Sequence, residues 1–137
     1  MTENLPGPTR PLIRSGDALG HQEIDADHLA ISDAWLAAMR CAAVALPFHV
    51  ARLARVMQRH FDHEASLVEA TGVPFCWCHH NEHEAMLAVC REALSTCERD
   101  PRAARQLLRT RLSGQIRQHV ATMDQVAVLI INSAAPA

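Results

Sequence analysis

The chain has 137 residues, 49% of them hydrophobic and 20% charged, long enough for one domain to bury a core without disulfide or zinc staples. A formal charge of −2 and a pI near 6.5 leave no basic field for nucleic acid, and all thirteen cationic residues are arginine. The longest apolar tail, VAVLII at 126–131, is far below the roughly 20 residues a bilayer-spanning helix needs. With no signal-like run near the start either, the expected location is cytoplasmic, without a membrane partner. Five cysteines is an odd count, so they cannot all pair internally, and they are expected as free thiols.

In chain order, residues 1–20 hold three prolines and three glycines without periodicity, which predicts an extended N-terminal arm. From Gln22 to about Ala43 apolar side chains recur at Ile24, Ile31, Trp35, Ala38 and Ala42 behind an acidic start, the pattern of an amphipathic helix that Pro47 should close. A second helix is expected from about Phe48 to Ala70 through Leu53, Val56, Met57, Leu67 and Val68, ended by Gly72 and Pro74. The third carries Met86, Leu87, Cys90 and Leu94 and stops near Glu98; Cys90 and Cys97 share a face and are expected to fill core. Asp100 and Pro101 supply an N-cap and a first-turn proline for a long fourth helix. Its stripe is expected to run through Leu108, Leu112, Ile116, Met123, Val126 and Ile130, with a bend at Gly114. No segment alternates like a strand, and the connections are short. The expected fold is therefore all-α, an up-down-up-down antiparallel four-helix bundle at 21–133 with the arm before it and a short tail at 134–137.

Ligand-type residues interrupt these stripes at one level of the bundle. His28 lies between Ile24 and Ile31; His60 and Glu64, four apart, share a face of the second helix; His79 and His83 repeat that spacing on the third; His119 and Asp124 fall on the fourth. A single core histidine is usually hydrogen-bonded and inert. Five imidazoles and two carboxylates in one interior are different, because each ionised group carries a desolvation cost of several kcal/mol unless it is neutralised. Imidazole with carboxylate suits iron, manganese or zinc, and seven donors exceed what one tetrahedral zinc uses, so two metals bridged by the carboxylates fit the count. One spacing conflicts with a regular helix: His119 and Asp124 are five apart and diverge by about 140° on α-geometry. A π-turn or comparable distortion between them is expected, since an i to i+5 turn returns both side chains to one face.

The pieces I-D-A-D-H at 24–28, H-F-x-x-E at 60–64, H-x-x-x-H at 79–83 and H-x-x-x-x-D at 119–124 are weak singly. Taken in order, one set per helix, they resemble the hemerythrin family, specifically single-domain bacteriohemerythrins, over about Ile24 to Ile131. The resemblance implies two Fe ions with an oxo or hydroxo bridge. It places His79, His83 and His119 on one iron, His28 and His60 on the other, and Glu64 and Asp124 across both. It also implies that the iron with fewer protein donors keeps an open position for O2 or another small diatomic ligand, cycling between ferrous and ferric. Such a site wants an apolar surround, and Ile31, Phe61, Ile116 and Val120 are within one turn of the implied ligands.

The chain departs from the family pattern in places. Gln115 stands where many members have an aromatic, there is no tyrosine, and Cys76, Cys78 and His80 crowd His79; a less sealed pocket and faster autoxidation are expected, and a small secondary metal or redox site at the cysteines is conceivable. Of the other histidines, His63 is expected at the surface or behind the ligands, His21 is the substitute for His28, and His49 is expected in solvent. The functional expectation is reversible O2 binding for storage, delivery or buffering, without enzymatic turnover. The alternatives are a sensor of oxygen, nitric oxide or redox state acting through a separate partner, and a di-iron peroxidase or nitric oxide reductase. No oligomer is specified, and a monomer is compatible with the sequence.

Overall fold

The computed structural model describes residues 10–134, so residues 1–9 of the expected arm and 135–137 of the tail lie outside the described residues. Four helices account for the bundle: α1 (Gln22–Arg40), α2 (Leu46–Glu69), α3 (Trp77–Thr96) and α4 (101–134). The last is a continuous rod whose α-helical stretches Pro101–Gln106, Ser113–His119 and Gln125–Ala134 are joined by π-helical turns at Leu107–Leu112 and Val120–Asp124. There is no strand among the described residues.

Pairings between helices run in opposite chain order at every interface. Glu23 and Asp27 meet His63 and His60; Glu64 and Met57 meet His79 and Cys90; Glu82 and Glu92 meet His119 and Arg111. Along the fourth interface His28, Trp35 and Ala38 meet Asp124, Leu108 and Arg105. Neighbours are therefore antiparallel throughout, as short connections require.

The helix ends follow local chemistry. His21 is the N-cap of α1, its Nδ1 accepting from the Ile24 N–H at 3.3 Å, which is its role in place of the substitute ligand. Asp100 caps α4 by accepting from the Ala103 N–H at 3.0 Å, with Pro101 in the first turn. Gly72, at φ +87°, turns the chain out of α2, a conformation that glycine adopts without a Cβ clash. Pro47 does not close the first helix. That helix stops at Arg40, and Pro47 occupies the first turn of α2, where a missing N–H has no helical acceptor to lose.

The arm has little regular structure but is not loose where it is described. Leu12 and Ile13 are buried in the core, the Ile13 N–H donates to Ser32 Oγ at 3.0 Å, and Asp25 accepts from the N–H groups of Leu19 (2.7 Å) and Gly20 (3.1 Å). Away from the histidines the interior is apolar: Leu46, Val50, Leu53, Ala93, Cys97, Ala104 and Leu108 are at most 1% exposed. Cys90 and Cys97 fill this core, whereas Leu94 is 41% exposed.

Two corrections concern α4. The expected stripe holds for Leu108, Leu112 and Ile116 but fails after His119, where Val126 is 55% exposed and Ala127 and Val128 are buried instead. The π-turn at Val120–Asp124 holds one residue more than an α-turn, so every later position is displaced by one, about 100°. The expected bend at Gly114 is absent; Gly114 lies in regular helix and the distortion precedes it at Leu107–Leu112. Carbonyls within that turn are served by side chains: Trp35 Nε1 donates to the Leu108 carbonyl at 2.8 Å, and Ser113 Oγ donates to that of Arg109.

Candidate metal centre

Each helix delivers its ligand-type residues to one level by ordinary spacing. On α2 and α3 the pairs His60/Glu64 and His79/His83 are four residues apart and so share a face. On α4 the same result needs the π-turn, which brings Asp124 beside His119, their Oδ1 and Nε2 atoms 2.9 Å apart. His28 enters from α1 with its Nε2 2.9 Å from Asp124 Oδ2. All seven are at most 4% exposed.

Together they make two sets of possible metal donors, Glu64, His79, His83, His119 and Asp124, and His28, His60, Glu64 and Asp124, each set offering atoms within 4.8 Å of one another. Glu64 and Asp124 belong to both, and their oxygens divide between them. Asp124 Oδ1 faces His79 (3.1 Å) and His119 (2.9 Å) while Oδ2 faces His28 (2.9 Å) and His60 (4.0 Å). Glu64 Oε1 faces His79 (2.6 Å) and His83 (3.6 Å) while Oε2 faces His60 (3.3 Å).

These approaches are close without being hydrogen bonds in several cases. Both oxygens of the fully buried Glu64, and Nε2 of His60, have no hydrogen-bond partner, because the near atoms are not aligned along an N–H. The Nε2 atoms of His79 and His83 each lie 3.1 Å from Nε2 of His119. Lone pairs of three rings and two carboxylates converging on common points suit a cation shared among them, and a donor set of imidazole and carboxylate without sulfur suits iron, manganese or zinc.

The outer ring nitrogens of two imidazoles are fixed by acids that the sequence pattern did not single out. His60 Nδ1 is 3.0 Å from Asp27 Oδ2, and His119 Nδ1 is 2.8 Å from Glu82 Oε1. Asp27 and Glu82 each stand one residue before a ligand-type histidine, rotated about 100° from it, and that adjacency was the available signal. Phe61 stacks on His83 at a centroid distance of 3.8 Å and an interplanar angle of 8°, and Phe75 covers His79 at 4.5 Å.

In the protein without metal the rings differ in proton affinity. Burial pulls His60 down, but Asp124, Asp27 and Glu64 outweigh it and raise it well above the usual imidazole range. His79 is likewise pushed to about 9 against burial by Asp124 and Glu64. His83 is lowered to about 2, first by burial and then by His119 and His79. His119 is raised, Asp124 and Glu82 outweighing its burial. Asp124 is held far below the carboxylate range, four histidine contacts overcoming its burial, and Asp27 is lowered to about 2 by His60 and His63 against its own.

A small cavity opens on this cluster, lined by Ile31, Phe61, Ile116 and Val120 together with Met57 and Met86, and by His28, His60, His119 and Asp124. Gln115 does not reach it. That residue lines a separate hollow between α3 and α4 with Glu82, Ala85, Met86 and Gln118, and Met86 is the wall common to both. His63 is half-exposed and bonds Asp27. His49 is partly buried, contrary to expectation, and packs edge-on against Phe48. Cys76, Cys78 and His80 are exposed and belong to neither donor set.

Fold and donor set together define a class: a four-helix bundle with a carboxylate–histidine cluster between its helices that could hold metal. The chain is 32% identical over 125 residues to the bacteriohemerythrin of Ralstonia nicotianae, with 85% of this chain and 86% of that protein covered. It belongs to the bacteriohemerythrin family. No family model and no solved structure matches it. No helix among the described residues is long and apolar enough to cross a membrane.

Proposed function

We propose that the chain is a non-haem di-iron protein that binds O2 reversibly, for storage, delivery or buffering, with 21–133 as the di-iron unit. His79, His83 and His119 would hold one iron and His28 and His60 the other, with Glu64 and Asp124 giving one oxygen to each. A pair of irons held by these residues would supply reversible ferrous–ferric chemistry toward O2. The observation that carries this reading is the division of both carboxylates between the two donor sets.

The chain's own residues account for selectivity. Three imidazoles on one side against two on the other leave the His28/His60 side with fewer protein donors, and the cavity reaches both of those histidines as well as His119. Apart from donor residues its lining is wholly apolar, Ile31, Met57, Phe61, Met86, Ile116 and Val120. An uncharged gas partitions into such a space, while water and anions lose hydration on entry. That lining also offers no acid or base beyond the donors themselves, which favours binding over turnover.

Metal quantification with anaerobic-to-aerobic absorption spectra tests the reading. The expected result is two irons per chain and a visible band that appears in air and bleaches when the gas is removed. Catalytic consumption of hydrogen peroxide or nitric oxide would replace it with an enzymatic reading, and an oxidation-linked change in oligomeric state or partner affinity with a sensory one. Absence of iron would end it.

A further inference from the structure

Asp27 precedes His28 on α1 and is rotated about 100° from it, so its carboxylate passes the cluster and meets the outer edge of His60. Its Oδ2 accepts two hydrogen bonds, from Nδ1 of His60 at 3.0 Å and from Nδ1 of His63 at 2.8 Å. His60 is buried, and with Nδ1 committed outward, its Nε2 is the atom presented to Glu64 and Asp124. His63 is the solvent end of the array, its side chain 35% exposed and its Nε2 3.3 Å from Glu23 Oε2. The other imidazole on this side, His28, has no partner for its buried Nδ1. Of the two histidines in the smaller donor set, only His60 is backed by a carboxylate among the described residues.

A carboxylate that accepts the outer N–H of a metal-bound imidazole fixes the tautomer and ring angle and makes the inner nitrogen a stronger donor. Stronger donation favours the more highly charged metal. A second N–H on the same oxygen draws on the same negative charge and weakens that effect. We propose that Asp27 is the positioning residue that orients His60 and strengthens its inner nitrogen as a donor, and that His63, through its bond to the same oxygen, sets how strongly Asp27 does so. This rests on the di-iron reading above. Asp27 and His63 act in opposite senses on one imidazole, on the side that keeps the open position.

The opposition supplies the test, made on the full iron-loaded chain by spectroelectrochemical titration and by the rate of iron loss to a chelator. Asp27→Asn keeps shape and removes charge; it is expected to raise the midpoint potential and to weaken iron binding about 10- to 100-fold, seen as faster loss to the chelator. His63→Leu removes the competing donor and is expected to lower the midpoint. A merely structural role would move both variants the same way, and that result, or no shift in either, overturns the inference. If Asp27→Asn fails to hold iron, the half-exposed His63 decides alone: a lowered midpoint in His63→Leu sustains the inference, and an unchanged or raised one overturns it. Absence of iron from the unsubstituted chain is a different failure, since it removes the di-iron reading and this inference with it.

Discussion

Deleting one residue from the π-turn at Val120–Asp124 tests how this helix builds its part of the site. The spacing from His119 to Asp124 is five residues; on a regular helix the two would diverge by about 140°, and a carboxylate about 5 Å from the axis would swing some 9 Å away. Its contacts of 2.9 Å to His28 and His119 and 3.1 Å to His79 do not survive such a swing. Removing exposed Ala121 lets the turn relax to α-geometry with the two residues now four apart, the spacing already used by His60/Glu64 and His79/His83. The register of Ala127 and Val128 is kept as well. The deletion variant is therefore expected to hold two irons per chain and to melt within about 4 °C of the parent, corresponding to about 1 kcal/mol at this chain length. Deleting exposed Gln118, which lies before the turn, is the contrast: it rotates His119 about 100° from the core face set by Leu112 and Ile116. That variant should lose iron and several kcal/mol, the cost of misplacing buried polar groups. Elemental analysis and thermal melts by circular dichroism, with and without chelator, distinguish them. Equal loss of iron from both deletions would refute the account of the π-turn.

The metal-free protein should be most stable close to pH 6.5. As pH rises from 6.5 to 9 it loses the stability supplied by His79, whose proton affinity is raised on folding; below 6.5 the unfolded chain protonates a ring corresponding to His83, which stays neutral in the folded state until about pH 2. Melting of chelated samples across this range should show stability falling on both sides of pH 6.5; a change in one direction only would refute this. Thiol alkylation should be ordered by site: Cys76 is exposed and its thiol is held below the ordinary range by the backbone N–H groups of His79 and Cys78, whereas burial pushes Cys90 up to about 12. Time-resolved mass spectrometry should find Cys76 modified first and Cys90 only on unfolding; comparable rates would refute this. Trp35→Phe removes the donor to the Leu108 carbonyl in the first π-turn and should cost about 1–2 kcal/mol, a fall of about 4–7 °C in Tm, without changing the iron content.

Four helices, their caps at Asp100 and Gly72, and the convergence of His28, His60, Glu64, His79, His83, His119 and Asp124 on one level were legible in the sequence, because they follow from side-chain spacing on a 3.6-residue helix. So was a distortion between His119 and Asp124, since five-residue spacing and a shared face are incompatible on a regular α-helix; the structure makes it a π-turn. What the sequence left open depends on meetings between helices. The turn at Leu107–Leu112 is accompanied by a hydrogen bond from Trp35, 73 residues away; the burial of Ala127 and Val128 in place of Val126 follows from rotation accumulated upstream; Asp27 and Glu82 gain their roles only because His60 and His119 lie opposite them. Periodicity fixes which face a residue occupies along its own rod. Which atom of a carboxylate meets which ring, and which acid stands behind it, is decided by the relative placement of rods, which packing sets and no single segment encodes.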